Sequence, residues 1–318
     1  MARGWAAADF HVHTLHSYDV IPTRQVDPLA LYAKARELGM TYVAFTDHDT
    51  MDAYDHIGRT REGLVPAVEV KILDPGRVGH TVHINVYALD RRQFEEVERI
   101  AGTARDIELL TGYLRAEGLP FTFNHPFWHE PDEEPNLRAV IEIADLFPAL
   151  EYNMGRIDRI NGQALRLAQA KGKGMVAGTD SHIGGIGRAF TLARGATFRE
   201  FFEEVRAGRS FIVPADLTAA RLKAETADRI RNLFDKTGWL SPKEGLSIDT
   251  GSPVLDGIVQ RLARARNKAP RPADRLLRAA LRALSSSGLP GSLYLRSQRS
   301  LASRIGRLLE EAKAGATA

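Results

Sequence analysis

Short runs rich in β-branched and aromatic residues recur along the first two-thirds of the chain. Between them lie stretches with an apolar residue at about every third or fourth position. The runs predict strands at 8–12, 41–46, 64–70, 81–88, 120–124, 150–153, 174–179 and 210–213. The stretches predict helices at 28–39, 52–61, 137–143, 162–171 and 197–207, the first capped by Asp27, opened by Pro28 and stopped by Gly39. The longest helix follows Asp90, carries Phe94, Val97, Ile100, Ala104, Ile107 and Leu114 on one side, and stops at Gly118 and Pro120. Strand–helix–strand repeated this often predicts an α/β fold with a largely parallel sheet. After Pro214 only helical patterns remain, at 217–235, 274–284 and 299–312, with breaks at 268–272 and 285–291. The expected division is a barrel domain over 1–214 and a basic helical extension with flexible linkers over 215–318.

Charge sharpens that division. The net charge of +3 hides thirteen Lys/Arg against three Asp/Glu from Arg261 onward, and thirty against thirty-seven before it. In the tail, Leu276, Leu277, Ala280, Leu281 and Leu284 line one helix face, and Leu301, Ile305, Leu308 and Leu309 another. The reading we favour packs these faces on the barrel with the arginines in solvent. A nucleic-acid contact or an anionic membrane surface is the alternative use of such a tail. The first eight residues lack the apolar core of a signal peptide and no apolar run is long enough to span a bilayer, so a cytoplasmic protein is expected.

The chemistry sits where strands end, the face on which parallel barrels place their sites. His11 and His13 are two residues apart on the first strand and so share a face. Asp19 follows; His48 closes the second strand, Glu69 the third, and His83 lies in the fourth. His125 stands in Asn124-His125-Pro126, where a residue before proline is expected to be extended, and Asp180 and His182 follow the strand at 174–179. Six of the ten histidines fall in this set. His16, His56, His80 and His129 are expected at the surface, Asp47 and Asp49 as supporting or capping residues, and Phe127 and Trp128 as packing. The chain has no cysteine, so thiolate sites and disulfides are excluded. Six imidazoles and three carboxylates exceed the needs of one tetrahedral ion. They suit two or three divalent ions, Zn, Mn or Fe, that share a bridging carboxylate.

The run His11-Val12-His13-Thr14-Leu15-His16-Ser17-Tyr18-Asp19 carries further meaning. With Thr46-Asp47-His48, Glu69, His83-Ile84, Tyr87, Asn124-His125-Pro126 and Gly178-Thr179-Asp180-Ser181-His182, it resembles the PHP (polymerase and histidinol phosphatase) metallo-phosphoesterases over residues 8–213. The resemblance implies a distorted (β/α)7 barrel with a trinuclear metal site. By position, His11, His13, Glu69 and Asp180 would hold the first metal, and Glu69, His83 and His125 the second. Asp19, His48 and His182 would hold the third. It also implies hydrolysis by a metal-activated water without a covalent enzyme intermediate.

We assign Asp180, His182 and Arg188 to the catalytic centre. Arg188 ends a glycine-rich turn, which lets a backbone approach a ligand, and its guanidinium can clasp two phosphate oxygens; Arg156 is the second choice. The expected function is hydrolysis of a small phosphomonoester, nucleotide-type or other. The alternatives are an exonuclease-like phosphodiesterase whose basic tail holds nucleic acid, and a metal-stabilised binding module without catalysis.

Overall fold

A computed structural model describes residues 4–130, 132–234 and 272–316. Its strands are β1 (Trp5–Asp9), β2 (Tyr42–Phe45), β3 (Leu64–Leu73), β4 (Thr81–Tyr87), β5 (Phe121–Phe123), β6 (Ala149–Asn153), β7 (Gly174–Gly178), β8 (Phe190–Arg194) and β9 (Phe211–Val213). They form one nine-stranded sheet in the order β7-β6-β5-β4-β3-β2-β1-β8-β9. β1, β2 and β3 run parallel, as do β5, β6 and β7; β4 is antiparallel to both neighbours. Beyond the strand ends the sheet bends round on itself. Val12 bridges Ser181 in parallel, Asp180 N donates to His11 O at 2.8 Å, and His13 N donates to Ser181 O at 3.2 Å. β1 to β7 therefore make a barrel, distorted by one reversed strand, with the antiparallel pair β8 and β9 outside it.

The helices are α1 (Pro28–Glu37), α2 (Asp52–Ile57), α3 (Arg91–Arg99), α4 (Ile107–Ala116), α5 (Leu137–Ile143), α6 (Asp158–Ala170), α7 (Phe198–Arg206), α8 (Ala219–Phe234), α9 (Pro272–Ser287) and α10 (Leu289–Ala316). Asp27 caps α1 by accepting from the Leu29 and Ala30 amides, with Pro28 at the first position. Capping boxes start α3, at Asp90 and Gln93, and α7, at Thr197 and Glu200. One apolar cluster gathers Ala6, Tyr42, Val65 and Ala149 from the starts of the parallel strands, and Tyr87 from the end of β4, against Phe201, Phe202 and Val205 of α7. α7 thus plugs the N-terminal end of the barrel, which leaves the opposite end to polar residues.

Several expectations need correction. β1 covers 5–9 rather than 8–12, because its early residues pair with β8 (Trp5 with Arg194), a strand the short run after Gly187 did not announce. The long helix after Asp90 is two. Residues 100–104 form a single wide turn, Arg105 takes φ 53°, and Asp106 caps α4 by accepting from Leu109 N at 2.8 Å. His80 is fully buried, with Asn136 N donating to its Nδ1 at 3.3 Å.

The C-terminal helices lie on the barrel. α10 packs along α6 and α5, with Ala302 and Ile305 buried. Arg138 pairs with Glu311 at 3.0 Å, and Arg166 pairs with Glu310. Asp216 ties the connecting segment down, accepting from Tyr152 Oη at 2.8 Å and Asn161 Nδ2 at 2.9 Å. The break expected at 285–291 narrows to Gly288, whose φ of 72° turns the chain from α9 into α10. Leu281 is buried as expected, but Leu276 is 74% exposed, so the apolar face of α9 is only partly used. The side chains of Leu277 and Leu284, and residues 268–271 of the expected linker, lie outside the described residues.

Candidate metal centre

Nine side chains singled out in the sequence converge at the C-terminal end of the barrel. His11 and His13 follow β1, His48 follows β2, His125 follows β5, and Asp180 and His182 follow β7. Glu69 belongs to the part of β3 that extends toward the mouth as a hairpin with β4, where Lys71 pairs with His83. β4 is reversed, so His83 near its start reaches the same end as residues past the finish of the other strands.

The densest part is a cage of four donor atoms. His11 Nε2 lies 3.1 Å from His13 Nε2, 3.1 Å from Glu69 Oε2 and 3.4 Å from Asp180 Oδ1. His13 Nε2 lies 3.3 Å from the same Glu69 oxygen and 3.2 Å from the same Asp180 oxygen. Metal–nitrogen and metal–oxygen bonds near 2.0–2.2 Å place neighbouring ligand atoms about 3.0 to 3.5 Å apart, so these spacings fit one shared cation.

Glu69 joins this cage to a second group through its other oxygen. Oε1 lies 3.2 Å from His83 Nδ1 and 3.3 Å from His125 Nε2, and accepts from Asn124 Nδ2 at 2.8 Å. The third group is Asp19 Oδ2, with His182 Nε2 at 2.6 Å and His48 Nε2 at 3.6 Å. The outer hydrogen bonds aim the rings. His11 Nδ1 donates to Glu151 Oε1 at 2.8 Å and His182 Nδ1 donates to the Asp180 carbonyl at 3.0 Å, so each turns its Nε2 lone pair inward. Buried ring nitrogens His13 Nδ1 and His83 Nε2 have no hydrogen-bond partner among the described residues.

Electrostatics agree with a site short of positive charge. Burial would raise the carboxyls of Glu69 and Asp180, yet the surrounding imidazoles outweigh it and hold both well below the usual carboxylate range. Burial opposes protonation of His13, but hydrogen bonds to Asp180 and Glu69 prevail and raise it to about 10. Burial lowers His83 to about 3.

The supporting residues include one that the sequence reading missed. Glu151, in β6, orients His11 and also accepts from the His125 amide at 2.9 Å. As a single acid inside the apolar run of a predicted strand, it was the one signal available. Asp47 behaves as expected, accepting from both Thr14 N and Oγ1 at 2.6 Å. His125 is not extended: its φ is 24°, because its amide is drawn to Glu151 and its carbonyl accepts from Trp128 N in a tight turn. Asp49 and Asp180 also take positive φ, near 50°, so backbone strain collects at the site.

A cavity of about 1280 Å³ stands over the cluster. Asp19, His48, Glu69, His83, His125, Asp180 and His182 form its floor, with Lys71, Trp128 and Arg156 at the sides and residues of α8 and α10 above. Arg156 Cζ lies 5.9 Å from the Trp128 ring, its Nη1 donates to Tyr294 Oη at 3.3 Å, and its buried Nε has no partner among the described residues. Arg188 is exposed and does not line this cavity. His16 and His56 pair with each other at 2.9 Å away from the cluster, and half-buried His129 borders the cavity.

Fold and site together define a distorted barrel of PHP type with a His/Asp/Glu cluster at its C-terminal end that could hold divalent metal. Residues 158–210 match the family model described as PHP-associated. The same fold is found in a two-domain protein containing a predicted PHP-like metal-dependent phosphoesterase from Bacteroides vulgatus ATCC 8482. It is 18% identical over 70% of this chain and 69% of that one, with a TM-score of 0.50. PsfC from Pseudomonas syringae PB-5123 is 17% identical over 72% of this chain and 98% of its own, with a TM-score of 0.51. No curated protein matches the sequence. The match over residues 158–210 and the shared fold support a relationship to the PHP domain family. Among the described residues no helix is long and apolar enough to cross a membrane.

Proposed function

We propose that the chain is a divalent-metal-dependent hydrolase of small phosphomonoesters. The observation that carries this reading is the cage of His11, His13, Glu69 and Asp180, whose donor atoms keep the 3.1–3.4 Å spacing of ligands around a cation. On this reading those four would hold one metal, Glu69, His83 and His125 a second, and Asp19, His48 and His182 a third. Nitrogen and oxygen donors of this mix suit Zn, Mn or Fe(II). Such ions, when bound, supply Lewis acidity toward phosphoryl oxygens and a water of lowered pKa.

The chain's own residues do the rest. Glu151 and the Asp180 carbonyl fix the tautomers of His11 and His182. Arg156 takes the phosphate-clasping role that the sequence suggested for Arg188: it lines the same cavity as Asp180, with Trp128 and Tyr294 holding its guanidinium. Trp128 and Tyr18, whose rings lie against His83 and His48, flank the substrate's organic part. Helices α8 and α10 over the cavity favour a small ester over a polymer.

The test combines metal analysis of the purified chain with a phosphate-release screen over monoesters and labelled oligonucleotides. Release from monoesters without chain shortening is expected. His125→Ala and Asp180→Ala should each abolish it while circular dichroism is retained; wild-type rates in both would defeat the assignment.

A further inference from the structure

The far wall of the cavity is positively charged. Lys223 and Arg229 of α8 and Arg304 of α10 line it, and among the described residues none has a carboxylate at ion-pair distance. The acids of the same helices are committed elsewhere. On α8, Glu225 accepts from Arg221 at 2.6 Å and Asp228 from Arg231 at 2.8 Å. On α10, Glu310 and Glu311 face away, to Arg166 and Arg138 of the barrel. Glu225 lines the same cavity but is taken up by Arg221, so three cations without an ion-pair partner among the described residues share one concavity with the His/Asp/Glu cluster. Low-dielectric walls focus such a field on whatever enters. The lining also carries apolar side chains, among them Trp128, Leu217, Leu222 and Leu301.

We propose that α8 and α10 form a second anion subsite, so that the substrate is a phosphomonoester whose organic body carries another negative group, a carboxylate or a second phosphate. This rests on the phosphoesterase reading for the first group and adds the specificity for the second. It also gives the helical extension a place in the active site. Arg229 is half-buried while Lys223 and Arg304 are exposed; a cation in a concave wall gains a charge-assisted hydrogen bond from such a ligand that a neutral group of the same shape cannot supply.

The test uses calorimetry on the full, metal-loaded chain with linear alkyl phosphonates of increasing length. The far end is a carboxylate, a second phosphonate or a neutral amide. At one chain length the charged compounds should bind about 10-fold or more tighter than the amide, and the tighter of the two charged ends identifies the natural group. Arg229→Gln and Arg304→Gln should bring the ratio toward one, and Arg304→Lys should keep most of it. Equal affinities at every length, or a ratio untouched by the glutamine variants, would overturn the proposal. Phosphate release from the matching phosphate esters is followed in parallel. Charge-dependent binding without release leaves the subsite standing and removes the hydrolase reading, whereas equal release from acid and amide does the reverse.

Discussion

His11 is held by Glu151 across the barrel, Nδ1 to Oε1 at 2.8 Å, although the two lie 140 residues apart. The bond fixes which nitrogen of His11 carries the proton, and so which one faces Glu69, His13 and Asp180. Partners of this kind are worth about 10–100-fold in metal affinity or activity. Glu151→Gln should therefore weaken metal binding by about that factor with all nine proposed ligands intact, read by competition with a chromogenic chelator. Unchanged affinity would remove Glu151 from the site.

Gly178 marks how tightly the floor is built. A Cβ there would stand 2.6 Å from His11 Cβ and 2.7 Å from Glu151 Oε1. Both neighbours are buried, so neither can retreat easily, and overpacking of this kind costs about 1–3 kcal/mol. Gly178→Ala should lower the melting temperature and displace His11, with loss of bound metal. Gly162→Ala, on α6 with open space around it, is the control.

Arg156 and Arg188 make opposite predictions. Arg156 borders the cavity and Arg188 is exposed outside it. Arg156→Ala should cut kcat/KM for phosphomonoesters by about 10-fold or more, the scale of a charge-assisted hydrogen bond. Arg188→Ala should leave it within about 2-fold, as is usual for a surface change. A reversed order in steady-state kinetics would restore the sequence-based choice.

Protons compete with metal for this site, and the sign can be stated. His13 is raised to about 10: burial opposes the charge, but Asp180 and Glu69 outweigh it. A histidine raised above its unfolded value of about 6.5 stabilises the fold fully below that pH and loses the contribution as pH climbs through its folded value. The chelated chain should therefore become less stable from pH 7 to pH 10. Metals bind the deprotonated ring, so metal addition near pH 7.5 should release protons. Calorimetric enthalpies should then vary with the ionisation enthalpy of the buffer. Buffer-independent enthalpies would contradict this.

Much of this was legible because polar residues interrupt apolar runs at the barrel's strand ends. His11, His48, His125 and Asp180 announce themselves by breaking a pattern, and the spacing of His11 and His13 is local. Glu151 was not legible as part of the site, since only the closed barrel brings the middle of β6 to the end of β1. The split between α3 and α4 was hidden because Ala104 and Ile107 keep the apolar stripe in step across the turn at Arg105. The cavity wall on α8 and α10 was hidden for a related reason. Net charge counts Lys223, Arg229 and Arg304 with the other cations, and only the fold reveals that the acids of these helices pair with other arginines.

The most direct test is metal stoichiometry, measured by inductively coupled plasma mass spectrometry on the chain after exhaustive dialysis. The account predicts two to three equivalents of Zn, Mn or Fe per chain for the wild type and a clear loss of at least one in His11→Ala and in Asp19→Ala. A wild-type protein that is folded yet retains no divalent metal, even after loading with each of the three, would contradict it.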